Sequence, residues 1–426
     1  MPECIMKTVS VPSNSPVTAT CLTNCAVRES TLLTREWVAN QQSFLDWESQ
    51  PSSFKQYPHF CYRVPLRDHP SLEWLVQTRC ITDEHIIAKK PYRRLNVPSA
   101  GNLHPIEIYV QLRNVAGLLS GIYHLDVLHE ELVMIAEIAG EGIEPYVGLD
   151  KRFSGVIAVL SLVPFRSSWK YGLRAWRYLY LDLGHQIHAL CASVRHFGLS
   201  LTKMSVNEQL KSILGMGEDE VIGAVYGIGE ISERSVKHLS KPLMCVQPTD
   251  YSENLEALIE TVMSTPVYNE IPDTLFYEDF LSINALRRSA REFFPNAMSD
   301  TVIQALMSIP SPPSLEIVPF LFQAHAMHPG LYRNGKCAVS GNFNSEILHL
   351  LLDQRFISGS NMVVLIFAEI FCADSHIEAG IYAQELYRTC EHHNAICSGI
   401  GAFYDEEASR WSEKPLLYAV AIGGKV

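Results

Sequence analysis

The sequence predicts a globular protein of mixed helices and strands, built from two related units that pack about a pseudo-twofold axis. Two observations predict this fold: apolar stretches of strand length, and a set of residues that recurs in the same order in both halves. Residues 155–165 and 362–372 are such stretches, rich in Val, Ile and Leu. The chain has 426 residues, of which 47% are hydrophobic and 19% are charged. This composition is typical of folded proteins, and at about 100–200 residues per domain the length suggests two or three domains.

We divide the chain into an N-terminal extension at residues 1–54, a first unit at 55–250 and a second unit at 251–426. In the extension, residues 30–47 have helical periodicity, with Thr31 or Thr34 as the cap. The other predicted elements are strands at 103–112, 155–164, 220–227 and 362–372, a long apolar helix at 176–197, a linking helix at 250–265 and a helix that ends near residue 393.

The internal repeat depends on four matches between the units. They are Pro98-Ser99 with Pro310-Ser311, Gly121-Ile-Tyr123 with Gly330-Leu-Tyr332, Gly184 with Gly380, and Gly227 with Gly423. The last two pairs also have equal spacing, since each second glycine follows the first at the same distance along the chain. Four matches in one order indicate a duplicated unit. A duplication of this size is expected to form a fused dimer, in which two copies pack as a homodimer would.

The charge balance excludes some classes of partner. Lys and Arg total 34 and Asp and Glu total 46, so the formal net charge is −12. Nucleic acids are bound mainly by neutralising their phosphates, which makes an acidic chain a poor binder. The apolar stretches are far shorter than the roughly 20 residues that span a bilayer, and the N-terminal residues do not have the pattern of a secretory signal. We therefore expect a cytoplasmic protein that binds neither nucleic acid nor membrane.

Cysteine and histidine spacing predicts no metal site. The 11 cysteines are irregularly placed and form no Cys-x-x-Cys pair, which fits ordinary small apolar residues in a reducing cytosol. His185 and His188 share one helix face, but the sequence suggests no third ligand. We interpret them as core or surface histidines.

The sharpest local signal in the second unit is a cluster of three arginines, Arg287, Arg288 and Arg291, with Ser289 among them. A guanidinium group presents a planar fork of donors that matches phosphate oxygens. The cluster therefore predicts a phosphate site in an otherwise acidic protein. The alternative is a solvated helix face.

Two small-residue loops are candidates for contact with a flat ligand. Pro98, Ser99, Ala100 and Asn102 belong to a tight turn before a predicted strand, where exposed backbone groups allow close approach. The second loop contains Gly399, Ile400 and Gly401, and it could present a backbone N–H to a ligand atom. It lacks the strand–turn–helix order of a dinucleotide fingerprint. Either loop could instead be an ordinary turn.

Lys170 and Tyr171 stand next to each other before the long helix of the first unit. An adjacent amine and phenol can act together as proton acceptor and donor when burial lowers the pKa of the lysine. The pair therefore predicts general acid–base chemistry. The alternative is a basic helix start with no catalytic role.

Four stretches of the first unit carry a resemblance to a known family. They are Gln50-Pro51 through Phe54-Lys-Gln-Tyr57-Pro58 at the start of the unit, Pro98–Pro105 followed by Ile106-Glu-Ile-Tyr109, Gly121-Ile-Tyr-His124, and Lys170-Tyr171-Gly-x-Arg174 followed by Asp182 and His185. In this order they resemble the nitroreductase-like flavoprotein superfamily, and within it the SagB-type, or thiazole/oxazole-forming, dehydrogenases. The second unit is similar to a generic nitroreductase domain through residues 287–291 and 399–403.

The resemblance implies an α+β fold, with an antiparallel sheet flanked by helices in each of two fused nitroreductase-like domains. It also implies FMN in the interface between the domains, with the arginine loop and the small-residue turn supplied by opposite domains. The first unit keeps the turn, and Gln77–Cys80 is the nearest remnant of an arginine loop. The second unit keeps the arginine loop, but its turn has become Pro310-Ser-Pro-Pro-Ser314. The resemblance therefore implies one complete FMN site across the pseudo-twofold axis, opposite one decayed site.

Each candidate residue then has an implied role toward FMN. Arg287, Arg288, Arg291 and Lys425 would neutralise the phosphate, Ser289 would bond to the ribityl chain or pyrimidine edge, Pro98, Ser99, Ala100 and Asn102 would lie along the flavin ring, and the backbone of Gly399, Ile400 and Gly401 would donate to flavin N5. Lys170 and Tyr171 would deprotonate the substrate carbon, while the flavin performs the redox chemistry.

The resemblance favours an FMN-dependent dehydrogenase that oxidises an azoline or similar C–N bond in a peptide or carrier-bound natural product, together with a biosynthetic partner protein. Two alternatives stay open. One is an NAD(P)H-dependent reductase of nitro or quinone compounds. The other is a non-catalytic flavin-fold scaffold in a biosynthetic complex.

Overall fold

The fold is a mixed α+β arrangement of two antiparallel sheets with helices between and around them, as predicted. The structure is a computed structural model that describes residues 24–40, 45–87, 90–239, 244–248 and 256–425. Within these ranges, no helix combines the length and the apolar composition that crossing a membrane requires.

The first unit contains eleven strands within the described ranges. They are β1 (Arg63–Pro65), β2 (Ile81–Ile87), β3 (Lys90–Leu95), β4 (Ile106–Arg113), β5 (Gly121–Asp126), β6 (Glu131–Glu137), β7 (Glu141–Gly142), β8 (Lys151–Leu162), β9 (Thr202–Lys203), β10 (Val221–Ser235) and β11 (Lys237–His238). The described part of the second unit contains six, which are β12 (Leu315–Leu321), β13 (Gly330–Arg333), β14 (Lys336–Ser340), β15 (Met362–Ala368), β16 (Ala395–Ile400) and β17 (Leu416–Gly424).

Eleven α-helices accompany these strands in the described part of the chain. They are α1 (Asn24–Ser30), α2 (Arg35–Asn40), α3 (Glu73–Thr78), α4 (Pro164–Tyr171), α5 (Ala175–His196), α6 (Leu210–Ile213), α7 (Glu256–Met263), α8 (Phe280–Leu286), α9 (Asp300–Met307), α10 (Asn344–Leu350) and α11 (Ala373–His392).

The two large sheets have the same topology, which agrees with the predicted duplication. The first runs β1-β6-β5-β4-β8-β10-β9, and the second runs β14-β13-β12-β15-β17-β16. Apart from the additional edge strand β1, the sheets correspond strand for strand in both spatial and chain order. The tyrosines of the predicted Gly-x-Tyr match also make equivalent contacts. Tyr123 and Tyr332 each donate a hydrogen bond at 2.8 Å to the carbonyl four residues earlier.

The units meet where the long helices α5 and α11 cross at the paired glycines. A Cβ added to Gly184 would lie 2.0 Å from the carbonyl oxygen of Ile377, and one added to Gly380 would lie 2.2 Å from that of Leu181. These distances are too short for any side chain, so glycine is required on both helices. The contact is reciprocal, as a pseudo-twofold axis demands.

Buried polar pairs flank this crossing. His185 Nδ1 lies 2.9 Å from Gln384 Oε1, and His188 Nε2 lies 2.8 Å from Glu385 Oε2. Burial lowers the pKa of His185 to about 3, so its ring is neutral near pH 7. Both histidines therefore belong to the core between the units, and no metal-binding group occurs among the described residues.

The helix predicted at residues 30–47 is wrong in its extent, since α1 ends and α2 begins within it. Thr34 caps α2, because its Oγ1 accepts a hydrogen bond from the Trp37 amide at 3.1 Å. The Thr31 hydroxyl instead donates back to the Val27 carbonyl at the end of α1, at 2.7 Å. Of the predicted linking helix, α7 is observed, and residues 250–255 lie outside the described part of the chain.

The repeat is shifted at one of its four matches. Ser314, and not Ser311, makes the contact that corresponds to that of Ser99: Ser99 donates to Asp182 on α5, and Ser314 donates to Glu378 on α11. Asp182 and Glu378 are equivalent, because each lies two residues before a crossing glycine. In the second unit β12 starts directly after this serine, so the longer turn exists only in the first unit.

We expect Gly184→Ala to lower the free energy of unfolding by about 1–3 kcal/mol or more, because the added methyl group overlaps backbone of the facing helix. Chemical denaturation monitored by circular dichroism measures this change. Gly424→Ala is the matched control, since nothing lies within 4 Å of its added Cβ. Equal stability of the two variants would show that the helices do not cross at this point.

Candidate functional site

The turn before β4 has an unusual backbone that its surroundings hold in place. Gly101, Asn102 and His104 all have positive φ angles, of 63°, 60° and 50°. This conformation is unfavourable for residues other than glycine and often marks functional sites. The side-chain amide nitrogen of Asn102 donates to the Arg93 carbonyl at 2.7 Å, and the side-chain oxygen of Asn102 lies 3.0 Å from Nε2 of the His104 ring. The turn is therefore fixed before any ligand binds.

Asp182 anchors the start of this turn from α5 below. Its Oδ2 accepts a hydrogen bond from the Ser99 hydroxyl at 2.5 Å, and its Oδ1 accepts one from the Ala100 amide at 3.2 Å. Burial raises the pKa of Asp182 to about 7, although these two hydrogen bonds oppose the rise. Sequence reasoning did not assign Asp182 a role in the site, because a single carboxylate in a helix gives no signal of what it contacts.

A buried ionic network supports the strand that follows the turn. Arg166 donates to Glu107 at 2.6 Å and to the His104 carbonyl at 3.0 Å. His124 lies 3.0 Å from the other oxygen of Glu107. Burial by itself would raise the pKa of Glu107, but Arg166 and His124 hold it well below its usual value. The turn is therefore supported by a buried network of ion pairs and hydrogen bonds.

Lys55 extends this network. Its ammonium group donates to Tyr109 at 2.6 Å and to Glu220 at 2.9 Å, and its side chain is fully buried. Several residues that carry the family resemblance, namely Lys55, Glu107, Tyr109 and His124, therefore lie in the core. They support the turn and do not line a binding surface.

Lys170 and Tyr171, the last residues of α4, converge on the turn. A Cβ added to Gly101 would lie 2.6 Å from the Tyr171 hydroxyl and 3.3 Å from the Lys170 ammonium. Tyr171 is buried, and Lys170 is partly exposed. The predicted proton-transfer pair and the predicted ligand-binding turn therefore share one location.

The glycine loop of the second unit contacts the first unit close to Lys170 and Tyr171. The Gly401 carbonyl accepts hydrogen bonds from Arg174 at 2.9 Å and from Tyr178 at 3.2 Å. The ring of Tyr178 in turn packs edge-on against Tyr171, with centroids 4.6 Å apart. A Cβ on Gly401 would lie 2.3 Å from the Tyr178 ring, so this close approach requires glycine.

Gly399 and Ile400 are not placed as we expected for residues whose backbone would donate to flavin N5. The Gly399 amide donates at 2.8 Å to the Tyr387 hydroxyl, which also lies 2.9 Å from Ser289 Oγ. Ile400 is buried at the end of β16. The amide expected to face flavin N5 is thus engaged by a tyrosine twelve residues earlier on α11, a long-range contact that spacing does not reveal.

The arginine loop of the second unit reaches the segment just before the turn of the first. Arg287 donates to the carbonyls of Leu95 and Asn96, both at 2.7 Å, and its guanidinium lies 5.2 Å from the centre of the Tyr387 ring. The remaining nitrogen, Nη1, is buried without a hydrogen-bond partner among the described residues. Arg287 of the second unit therefore lies close to the turn of the first unit, since Asn96 is two residues before Pro98.

Arg288 and Lys425 lie in the same region as Arg287. Arg288 donates to the hydroxyl and carbonyl of Thr82 at 2.8 and 2.7 Å. These hydrogen bonds connect the arginine loop to the hairpin formed by β2 and β3. The Lys425 ammonium lies 3.6 Å from Glu391. Burial raises the pKa of Glu391, and the positive charges of Lys425, Arg287 and Arg288 oppose that rise.

The remaining candidates are Arg291 and the segment Gln77–Cys80. Arg291 is exposed on the surface. In the segment Gln77–Cys80, interpreted as a poor remnant of an arginine loop, Arg79 donates to Gln186 within its own unit at 3.0 Å. Its helix α3 precedes the turn of the first unit, as α9 precedes the turn of the second.

These residues fit FMN in part. The unpartnered Nη1 of Arg287, together with Arg288 and Lys425, gives a cationic locus for a phosphate. The partly exposed turn at Pro98, Ser99 and Ala100 gives a backbone surface for a flat ring. The contacts that Arg287 and Arg288 already make show that they also hold the two units together.

Comparison with known proteins identifies the fold. No family model matches the chain. The structure superposes with a TM-score of 0.75 on the crystal structure of a provisionally assigned nitroreductase from Anabaena variabilis, at 18% identity, over 95% of this chain and 99% of the other. The α+β fold is therefore nitroreductase-like.

Two curated proteins are similar in sequence over part of the chain. The provisionally assigned nitroreductase MJ1384 of Methanocaldococcus jannaschii is 26% identical over 128 residues, which are 29% of this chain and 64% of that protein. The trifolitoxin-processing protein TfxB of Rhizobium leguminosarum bv. trifolii is 35% identical over 121 residues, or 25% of this chain and 29% of that protein. The chain thus matches less than two thirds of the length of either relative.

The raised pKa of Asp182 predicts a pH-dependent stability. The folded protein keeps a proton on this group up to about pH 7, whereas the unfolded chain releases it near its usual pKa of 3.8. The free energy of unfolding should therefore decrease as the pH rises between about 4 and 7. We expect Asp182→Asn to remove about 2 kcal/mol of the decrease between pH 5 and pH 8. Urea denaturation of both proteins at the two pH values measures this, and parallel pH profiles would contradict it.

Proposed function

We propose that this protein is an FMN-dependent oxidoreductase that dehydrogenates an azoline or similar C–N bond in a peptide or carrier-bound natural product. The observation that carries the proposal is the convergence of Lys170 and Tyr171 on Gly101, next to a glycine loop from the opposite unit. Two proton-transfer groups thereby stand beside the surface that fits a flat cofactor. The resemblance to SagB-type dehydrogenases supplies the reaction.

In this proposal the first unit holds the ring of FMN and the second unit holds its phosphate. Arg287, Arg288 and Lys425, with the exposed Arg291, bind the phosphate, and Ser289 binds the polar edge of the cofactor. Pro98, Ser99, Ala100 and Asn102 lie along the ring, and Asp182 fixes their backbone through Ser99 and Ala100. When bound, FMN supplies the acceptor for the two electrons of the oxidation.

The chain itself supplies binding, orientation and proton transfer. Tyr171 is buried and its ring is held by Tyr178, so its hydroxyl has a defined position beside the turn. Lys170 lies closer to solvent and can exchange a proton with it. Oxidation of an azoline removes a proton from one ring carbon and a hydride from the neighbouring one, so that a C=C bond forms. Lys170 and Tyr171 would take the proton, a role that general acid–base catalysis suits, and the hydride would carry the two electrons to the flavin.

The name of TfxB supports a role in natural-product processing, since it describes processing of trifolitoxin. A second candidate function has support of its own. MJ1384 is assigned to the nitroreductases, which favours an NAD(P)H-dependent reductase of nitro or quinone compounds. Rapid bleaching of the bound flavin by NAD(P)H alone, with turnover on a quinone, would support this second function over the first.

The double variant Lys170→Met/Tyr171→Phe tests the dehydrogenase. We expect loss of azoline-peptide oxidation by about 100-fold or more, the usual range for general acid–base groups, with unchanged flavin absorbance. Product formation by mass spectrometry and the flavin spectrum provide the two readouts.

Lys151→Met is the control, because this partly exposed lysine pairs with Glu233 at the far end of β8. Wild-type oxidation by the double variant would remove the pair from the mechanism. A purified wild-type protein without flavin would instead favour the scaffold.

A further inference from the structure

An exposed tryptophan of the N-terminal extension stands beside the proposed proton-transfer pair. Trp47 is 54% exposed, although it is the kind of side chain that folded proteins usually bury. Tryptophan offers a large flat surface for contact and is enriched among the residues that dominate binding interfaces. The position of the Trp47 ring decides which ligand it could contact.

Several contacts fix the Trp47 segment without covering the indole. Trp47–Ser49 form a short 3-10 helix that is capped by Asp46, whose carboxylate accepts a hydrogen bond from the Glu48 backbone amide at 3.0 Å. Lys90, from the hairpin of β2 and β3, donates to the Trp47 carbonyl at 3.1 Å. Trp169 donates to Ser49 Oγ at 2.9 Å. The segment is therefore tied to both the hairpin and α4, so the indole is held in place while half of it faces solvent.

The indole also lies against the site. The Lys170 ammonium is 5.4 Å from the centre of the Trp47 ring and 5.4 Å from that of Tyr171. Lys170 therefore stands between the tryptophan of the extension and the turn at Gly101. Trp169 packs edge-on against Trp47, with centroids 5.7 Å apart. One aromatic wall thus borders the partly exposed side of the proton-transfer pair.

We propose that Trp47 forms the outer wall of a substrate site and stacks on a planar, uncharged heterocycle within a peptide chain. This inference rests on the proposed function, which places the reacting ring of the substrate next to Lys170 and Tyr171. A flat five-membered ring matches the exposed indole face, and the Lys170 ammonium can donate to a ring nitrogen or to the adjoining carbonyl. Because the wall is open to solvent, the chain on either side of the ring can continue past it, as a peptide substrate requires.

The neighbouring hairpin gives such a chain apolar surface. Ile86 is 78% exposed and Ile87 is 47% exposed, and Lys90, which pairs with Ile87 in the hairpin, contacts the Trp47 segment. This rim lies on the side of Trp47 that faces the hairpin. It could contact apolar side chains that flank the heterocycle.

Binding of a product-like peptide tests the inference without turnover. The probe is a blocked Gly-thiazole-Gly peptide, and isothermal titration calorimetry measures its affinity for the full chain. We expect Trp47→Ala to weaken binding by about tenfold or more, as loss of one aromatic stacking contact does. Trp47→Phe should stay within about threefold of wild type, because it keeps a planar ring.

Phe276→Ala is the matched control, since Phe276 is 69% exposed but stacks on His196 of the opposite end of α5. Unchanged affinity in Trp47→Ala, or no binding to the wild-type protein, would overturn the inference. Flavin content is measured separately on each preparation. Absence of FMN would contradict the proposed function. Loss of peptide binding in Trp47→Ala would, even then, support a role for Trp47 in binding the heterocycle.

Discussion

The close crossing of α5 and α11 fixes how the two units of the protein pack against each other. Gly184 and Gly380 each face a backbone carbonyl of the other helix, at distances that leave no room for a side chain. This approach brings the two sheets to a fixed separation around one pseudo-twofold axis. It also places the turn of the first unit within reach of loops from the second. Without the crossing, Arg287 could not donate to the carbonyls of Leu95 and Asn96.

Duplication within one chain allows the two interface sites to differ, which a homodimer cannot do. The first unit kept a long turn with three positive φ angles and a buried ionic base, whereas the second shortened its turn to the serine before β12. In both units a helix carboxylate still accepts a hydrogen bond from that serine. The serine–carboxylate contact is therefore common to both units, whereas the long turn with positive φ angles occurs in the first unit alone among the described residues.

The sequence predicted those helices and strands whose buried residues form a clear pattern of apolar positions. Helix α5 was placed within one residue of its observed ends, because it is buried along nearly its whole length and has no competing signal. The hairpin of β2 and β3 was not predicted, since its strands are charged and largely exposed. Contacts across the axis, such as Arg287 with Asn96, depend on tertiary packing and leave no local pattern. The family motifs located the turn correctly, but spacing could not show that Glu107 and His124 support it from below.

We infer that the two units together build one cofactor site, with a cationic loop from one and a turn with positive φ angles from the other. The ratio of FMN to polypeptide, measured after reconstitution and removal of free flavin, tests this composite site. Absorbance of the bound flavin against amino-acid analysis of the chain gives the ratio. We expect one FMN per chain. Two per chain would mean that both halves of the axis bind flavin, and none in a folded preparation would mean that the composite site does not exist.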